Sequence, residues 1–163
     1  MSHPVTGLPP DDATAGRPEA AAHLRAERAR VAALALEAAL ARDRTMRQRY
    51  DEVQLRLFLR DYDRHIEQLA RALETGNRRW MAEWVESTIP PMRRRHVPMQ
   101  DLASLLLGLG DACVEVLDAV GSGAALDAID ASLARLKRTR HLPGDHYGSR
   151  LVHFLWKGAG VLD

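Results

Sequence analysis

The sequence predicts an all-α protein, built as an antiparallel bundle of four to six helices with a long N-terminal helix. Apolar residues recur in steps of four and three in several segments, which is the pattern of an amphipathic helix. No segment shows the strict alternation of a half-buried strand. The chain has 163 residues, the length of one domain, and we assign residues 18–163 to a single helical bundle.

The N-terminal part of the chain combines a tail with an unusually long helical segment. Residues 1–17 contain prolines and glycines without periodicity and are predicted to be a disordered tail. Pro18 suits the first turn of a helix, where its missing N–H costs nothing. Residues 19–75 contain neither Pro nor Gly, and one continuous helix over them would be about 85 Å long. The helix must therefore protrude or break, and if it protrudes, residues 18–44 would be a dimerisation helix.

A break is predicted within the polar stretch 41–49. Thr45 and Gln48 have the spacing of a capping box, which could restart a helix there. The next helix carries one apolar seam in steps of four and three, formed by Leu55, Leu59, Tyr62, Ile66, Leu69 and Leu73. Gly76 is predicted to end this helix, because glycine adopts the left-handed conformation of a helix end at little cost.

Two further helices are predicted before the next group of glycines. Asn77 can cap the first, which should end before Pro90 and Pro91 because the residue before a proline avoids the α conformation. Pro98 opens the second, whose apolar seam is Leu102, Leu106, Leu109, Cys113, Val116 and Val120. Further leucines widen its apolar face and predict that it is the central helix: Leu105, Leu107 and Leu117.

Glycines determine the remaining predictions. Gly108 and Gly110 lie inside the central helix and cost about 1 kcal/mol each relative to Ala, which close approach of a neighbouring helix usually offsets. The segment 121–123 (Gly-Ser-Gly) is predicted to break the chain.

A fourth seam follows, formed by Leu126, Ile129, Leu133 and Leu136. A last short helix is predicted over 145–158, with its inward residues at Leu151, Phe154, Leu155 and Trp156.

The charge balance argues against nucleic acid or an anionic membrane as a partner. The chain has 23 basic and 22 acidic side chains, a net charge of +1 that creates no global field. Three basic clusters could each neutralise a few phosphates, but no aromatic residue is interleaved with them for base stacking. We therefore interpret them as solvated faces and helix C-termini. The clusters are Arg42, Arg44, Arg47 and Arg49; Arg93, Arg94 and Arg95; and Arg135, Lys137, Arg138 and Arg140.

The single cysteine and the lack of targeting patterns bear on the compartment. Cys113 excludes an intramolecular disulfide and is expected to be a small buried hydrophobe. The N-terminus has no charged-then-apolar signal pattern, and no apolar run approaches the length of a membrane span. We therefore expect a cytoplasmic protein.

Catalytic motifs are absent from the sequence, and we expect no enzyme and no metal site. There is no G-x-S-x-G, P-loop, G-x-G-x-x-G or H-E-x-x-H motif. Asp61 and His65 are four residues apart and could share a metal, but two ligands on one helix are not a site. An ion pair or a helix-capping contact is the favoured interpretation. His146 or His153 could ligate a haem or a corrin, the alternative being half-exposed histidines on a terminal helix.

Trp80 and Trp84 project from one helix face, one turn apart. Large aromatic side chains usually anchor helix packing, which is the favoured interpretation. They could also form a wall against a planar ligand together with His65, which makes His65, Trp80 and Trp84 the candidate cofactor site. As an exposed hot spot they would bind a protein. The candidate partner surface is then Trp80, Trp84, Arg93, Arg94, Arg95 and His96.

Residues of roughly 47–120 form a pattern of helix-packing positions that extends over three predicted helices. A helix carries His65, Leu69, Ala72 and Leu73; a short turn and two tryptophans follow; then come the Arg95–Pro98 element and leucines on one face, Leu102, Leu106 and Leu109. This arrangement resembles the helical domain upstream of the cobalamin-binding domain in some bacterial regulators. It is similar, more loosely, to the globin-like N-terminal sensor domains of stressosome proteins.

The resemblance implies a helical bundle that serves signalling rather than catalysis. In the cobalamin regulators, such a bundle lies over the upper face of the corrin, and a separate domain with a D-x-H-x-x-G motif supplies the lower ligand. This sequence contains no such motif, and Trp84 is followed by Glu86 without the Glu-His pair of the light-sensing version. We therefore expect no resident cofactor, with cobalamin or haem as the exceptions to test.

The sequence thus predicts a non-enzymatic regulatory or partner-binding domain of a sensor or adaptor kind, acting as a homodimer. One alternative is a module that encloses a tetrapyrrole-like or hydrophobic ligand between the helices that carry His65, Trp80 and Trp84. A second alternative is a nucleic-acid-associated factor that uses the arginine clusters.

Overall fold

The computed structural model describes residues 16–138, which contain helices and no strand. The helices are α1 (Pro18–Ala26), α2 (Arg28–Arg42), α3 (Met46–Arg49), α4 (Glu52–Thr75), α5 (Arg79–Arg94), α6 (Met99–Val116) and α7 (Ala119–Arg138). The all-α prediction is confirmed. The described range has seven helices rather than four to six, because the segment predicted as one or two helices forms four. The predicted helix over 145–158 and most of the predicted tail lie outside the described residues.

The break in the long N-terminal segment lies where the sequence predicts it, but a different residue restarts the helix. Asp51 caps α4, since its Oδ1 accepts from the Gln54 N–H at 2.8 Å and the Gln54 Oε1 accepts from the Asp51 N–H at 3.0 Å. The capping box predicted at Thr45 is wrong. The short helix α3 does begin after Thr45, but the Thr45 hydroxyl donates to the Asp43 carboxylate at 2.6 Å and accepts no backbone N–H of that helix.

Residues 18–44 do not protrude. Helix α1 packs on α4 and α2 packs on α6, and Leu24, Val31 and Ala35 are fully buried in the core that they share. Arg17, within the predicted tail, donates its backbone N–H to the Leu73 carbonyl at 2.6 Å. The argument for a homodimer from an excess helix is therefore lost, and self-association stays a prediction.

Helix α6 packs against both α2 and α7, as expected of the central helix. A Cβ built on Gly108 would lie 2.3 Å from the Ala35 carbonyl oxygen, so the backbones of α6 and α2 approach too closely for any side chain there. The predicted close approach at Gly108 is confirmed. Gly110 meets the side chains of Leu126 and Ile129 on α7 instead.

Helix α5 does not end before its prolines, so that prediction is wrong. It continues through Pro90 and Pro91 to Arg94. The two carbonyls that lose their N–H donors belong to Glu86 and Ser87, which are exposed and can bond water. Both prolines are themselves exposed, while buried neighbours hold the helix against the core.

The segment 121–123 does not break the chain either, since it lies inside α7. The break comes at Asp118, whose Oδ1 accepts from the Gly121 N–H at 2.7 Å and so satisfies a free donor at the start of α7. Gly121 is also where α7 meets α1, because a Cβ there would lie 2.9 Å from the Ala20 Cβ. Val120 is exposed and does not belong to the α6 seam.

Candidate functional site

The side chains with unusual environments converge on one turn of α4 around Asp61. His65 is only 5% exposed, and its Nδ1 lies 2.7 Å from the Asp61 carbonyl oxygen. Because a carbonyl can only accept, Nδ1 carries the ring proton and Nε2 keeps its lone pair. The Asp61 carboxylate pairs with Arg95 at 2.5 Å. Asp61 and His65 therefore do not form an ion pair with each other; the backbone of one bonds the ring of the other.

The end of α5 places Arg95 against α4. His96 has a positive φ of 57°, and the Val97 N–H returns to the Met92 carbonyl at 3.0 Å, which turns the chain sharply. The Arg95 guanidinium lies 5.6 Å from the centre of the Phe58 ring. The connection predicted from sequence thus contributes one residue to the site by closing over α4.

Trp84 lies beside His65, with ring centroids 6.3 Å apart in an edge arrangement. The Trp84 Nε1 and the His65 Nε2 are both buried, and neither has a hydrogen-bond partner among the described residues. One is an obligate donor and the other a lone-pair acceptor. A small molecule that both accepts and donates a hydrogen bond would suit these two atoms, and a buried polar group without a partner costs about 1–3 kcal/mol.

A cavity of about 10 Å³ adjoins His65. Tyr62, Phe58 and Asp61 line it from α4, and Met92 of α5 and three leucines of α6 complete its wall. That volume is close to the minimum for one water molecule, whereas pockets for organic ligands have about 300–1,000 Å³. In this conformation the cavity takes nothing larger than water.

Burial determines the electrostatics of the site. It lowers the pKa of His65, because an imidazolium would lose its hydration, and the bond to the Asp61 carbonyl only partly offsets this. It raises the pKa of Tyr62, whose hydroxyl donates to the Leu105 carbonyl at 2.8 Å. His65 is therefore a neutral acceptor at neutral pH, and Tyr62 is a fixed structural donor.

Trp80 does not join this site. It is 39% exposed, and the Arg71 guanidinium stacks over its ring at 4.5 Å from the centroid. Of the candidate cofactor residues, the structure thus brings His65 and Trp84 together and leaves Trp80 at the surface. The two tryptophans still share the α4 side of α5, since each contacts a residue of α4.

The candidate partner residues form two separate groups. Trp80 lies in the first turn of α5 and Arg94 ends the helix, about 21 Å away at the rise of an α-helix. Arg94 and His96 are exposed, whereas Arg95 bonds Asp61. One partner surface would have to span the length of α5 to contact both groups.

Sequence reasoning missed a buried polar cluster at the start of α6. Asp101 is fully buried and accepts from the Tyr50 hydroxyl at 2.5 Å and from Arg49 at 2.8 Å. Burial raises the pKa of Asp101, while the bonds from Tyr50 and Arg49 oppose that shift. The signal in the sequence was that Asp101, an acidic residue, directly precedes Leu102, the first leucine of the apolar seam of α6. The cluster joins α3 to α6.

Other groups that sequence reasoning considered are engaged in the fold. Cys113 is buried, as expected, and burial raises its pKa to about 12, so its thiol is no nucleophile. Arg42 makes two bonds to Asp111 at 2.7 and 2.8 Å, and Arg135 pairs with Glu86 at 2.7 Å. These arginines of the basic clusters are held in ion pairs. His146 and His153 lie outside the described residues.

Comparisons with known proteins identify no relative: no protein-family model, no curated protein and no solved structure matches the chain. The resemblance to the helical domain of cobalamin regulators stays a prediction. None of the helices in 16–138 is both long and apolar enough to cross a membrane. Within the same range, no group of three or more His, Cys, Asp or Glu residues could hold a metal.

Proposed function

We propose that this chain is a helical partner-binding domain of a sensor or adaptor kind, with no enzymatic activity, whose contact surface centres on Trp80. The observation that carries the proposal is the exposed Trp80 ring stacked under the Arg71 guanidinium. Tryptophan and arginine are the residues most enriched among interface hot spots. Stacking holds both side chains in place before a partner arrives, which reduces the entropy cost of binding.

The surroundings of Trp80 support this role. The turn between α4 and α5 places Arg78 beside the tryptophan in sequence, and Arg78 pairs with Asp127 of α7 at 3.0 Å at the surface. A large apolar ring with charged groups around it has the composition of an interface core and its rim. Helices α4, α5 and α7 supply Arg71, Trp80 and Asp127 to this surface.

The environments of the buried groups support a role without catalysis. Asp61 and Asp101 form ion pairs with Arg95 and Arg49, and burial raises the pKa of the Cys113 thiol. Each of these bonds serves to join helices. An acid–base catalyst would need a perturbed group that faces a cleft with room for substrate.

A second copy of the chain is the first partner to test. Light scattering over a range of concentrations should give a dimer for the full chain, and Trp80→Ala should weaken dimerisation at least tenfold. Val53→Ala is the matched control, because Val53 is 67% exposed at the start of α4, and it should leave the dimer unchanged.

A monomer at every concentration would exclude the homodimer. A photo-crosslinking amino acid at position 80, compared with one at position 53, would then test for a different protein in the cells that express the chain. Crosslinks that form equally from both positions would contradict the proposed surface.

A second candidate, a module that binds a small molecule, is favoured by the two buried nitrogens of His65 and Trp84. A tetrapyrrole would require α4 and α5 to separate, since the cavity is the size of a water molecule. Absorbance spectra of the full chain with haemin and with hydroxocobalamin test this candidate. A shifted spectrum that His65→Ala abolishes would support it, and spectra equal to those of the free compounds would exclude it.

A further inference from the structure

Helix α6 carries a second apolar strip on the side that faces away from α2. We call it the outer strip; it steps by four and three through Ala103, Leu107, Gly110, Val114 and Leu117. Leu107 is 38% exposed and Val114 is 55% exposed. Leu126 of α7 extends this surface, because its Cδ2 lies 3.1 Å from a Cβ built on Gly110. Helix α7 covers the strip at Gly110, whereas Leu107 and Val114 stay exposed among the described residues.

We propose that the outer strip is the docking surface for the chain's own segment 145–158. The two have similar lengths: the strip spans 15 residues, from Ala103 in α6 to Leu117 just after it, about 21 Å, and the 14 residues of the segment would span about 20 Å as a helix. The segment carries Leu151, Phe154 and Leu155 at the spacing of one helix face. Its apolar side therefore matches the strip in extent and in character.

The path of the chain places this segment within reach of the strip. Helix α7 returns along α6 after a two-residue connection, so Arg138 lies at the end of the bundle where α6 begins. Ala103 lies near that end. The six residues 139–144 can span about 20 Å when extended, enough to turn the chain back onto α6.

Charge at the edges of the strip favours the same occupant. Asp130 is exposed and lies one turn from Leu126, whereas Asp111 and Glu115, beside the strip on α6, already pair with Arg42 and Arg30 of α2. The segment carries Arg150 and Lys157 next to its apolar residues. A basic side chain beside the apolar face of the segment complements Asp130 at the α7 edge of the strip.

Cysteine labelling of the full chain tests the proposal. A Leu107→Cys variant should react slowly with a maleimide, and adding Phe154→Asp and Leu155→Asp should raise the labelling rate at least tenfold. Cys113 is fully buried and contributes little background. A Val53→Cys variant is the matched control, which should label rapidly with or without the aspartates. A Leu107→Cys variant that labels as fast as Val53→Cys, and is unchanged by the aspartates, would overturn the proposal.

Disulfide trapping identifies which chain supplies the segment. A Leu107→Cys/Phe154→Cys variant and a Val114→Cys/Phe154→Cys variant cover the two registers that the strip allows. A disulfide within one chain, of monomer mass, in either variant supports the proposal. A disulfide-linked dimer alone would assign the strip to a second copy, and no disulfide in either variant would assign it to neither; both outcomes overturn the proposal.

Discussion

At the scale of single residues, the protonation of the buried His65 ring couples folding to pH. The groups that face it are the Asp61 carbonyl, the rings of Tyr62 and Trp84, and the Asp61–Arg95 ion pair beyond them. None of these supplies an acceptor for a proton on Nε2. The folded state therefore holds the imidazole neutral, and its protonation favours the unfolded chain.

The sign of the resulting pH dependence follows from the lowered pKa of His65. An unfolded histidine titrates near 6.5, so the contribution of the neutral ring is complete above that pH and is lost as the pH falls through the folded-state pKa. We expect the free energy of unfolding of the wild type to fall more steeply between about pH 7 and 5 than that of His65→Gln. Urea titrations at several pH values measure this, and parallel curves for the two proteins would contradict it.

Asp101 provides a second test at this scale. Removing it takes one carboxylate from the partly buried Arg49 and the carboxylate acceptor from the Tyr50 hydroxyl. Asp101→Ala should therefore destabilise the fold by about 3–5 kcal/mol in urea unfolding. Asp111→Ala breaks an exposed arginine pair of similar geometry and should cost no more than about 1 kcal/mol. Equal losses would show that burial is not what makes the Asp101 cluster important.

At the scale of helices, a glycine inside the α2–α6 contact and a glycine on the open face of α7 should respond oppositely to substitution by alanine. Gly108→Ala would place a Cβ against the Ala35 carbonyl, so it should destabilise the fold by about 1–3 kcal/mol although alanine favours helix. Gly123→Ala meets nothing within 4 Å inside α7 and should stabilise by up to about 1 kcal/mol. Thermal unfolding of both variants measures the difference. Shifts of the same sign would contradict the close approach of α2 to α6.

Sequence patterns predicted the helices better than their ends. The seams of α4 and α6 were visible because burial imposes a helical period over many turns. The ends depended on single bonds: Asp51 rather than Thr45 caps α4, and Asp118 rather than the glycines begins α7. The prolines of α5 were misleading because their cost depends on whether the freed carbonyls reach water, which only the fold decides.

The candidate site was predictable as a set of residue types and not as an arrangement. His65 and Trp84 were singled out in the sequence, and their contact follows from how α4 and α5 pack. Trp80 could not be separated from Trp84 by spacing, because one turn of helix is enough to move a side chain from the core to the surface. Asp101 was overlooked since its partners are distant in sequence.

At the scale of the whole molecule, α1 and α2 belong to the same packed unit as α4 and α6. Leu24 on α1 is fully buried, so Leu24→Ala should cost about 2–5 kcal/mol. Because the helices share one core, we expect far-UV circular dichroism and tryptophan fluorescence to report the same transition. Val53→Ala is the exposed control and should stay within about 0.5 kcal/mol of the wild type. Unfolding of α1 ahead of the tryptophan signal would show that it is a separate unit.

The close approach of α2 to α6 at Gly108 also restricts which substitutions the sequence can accept during evolution. The neighbours of Gly108 on α2 are the Ala35 carbonyl oxygen and the backbone N and Cβ of Ala39, so neither Gly108 nor Ala39 can gain volume alone. In homologous chains these positions should stay small together or enlarge only with a compensating change across the helix pair. Such joint variation would persist after the surface residues have changed, and it offers a signature by which distant relatives can be recognised.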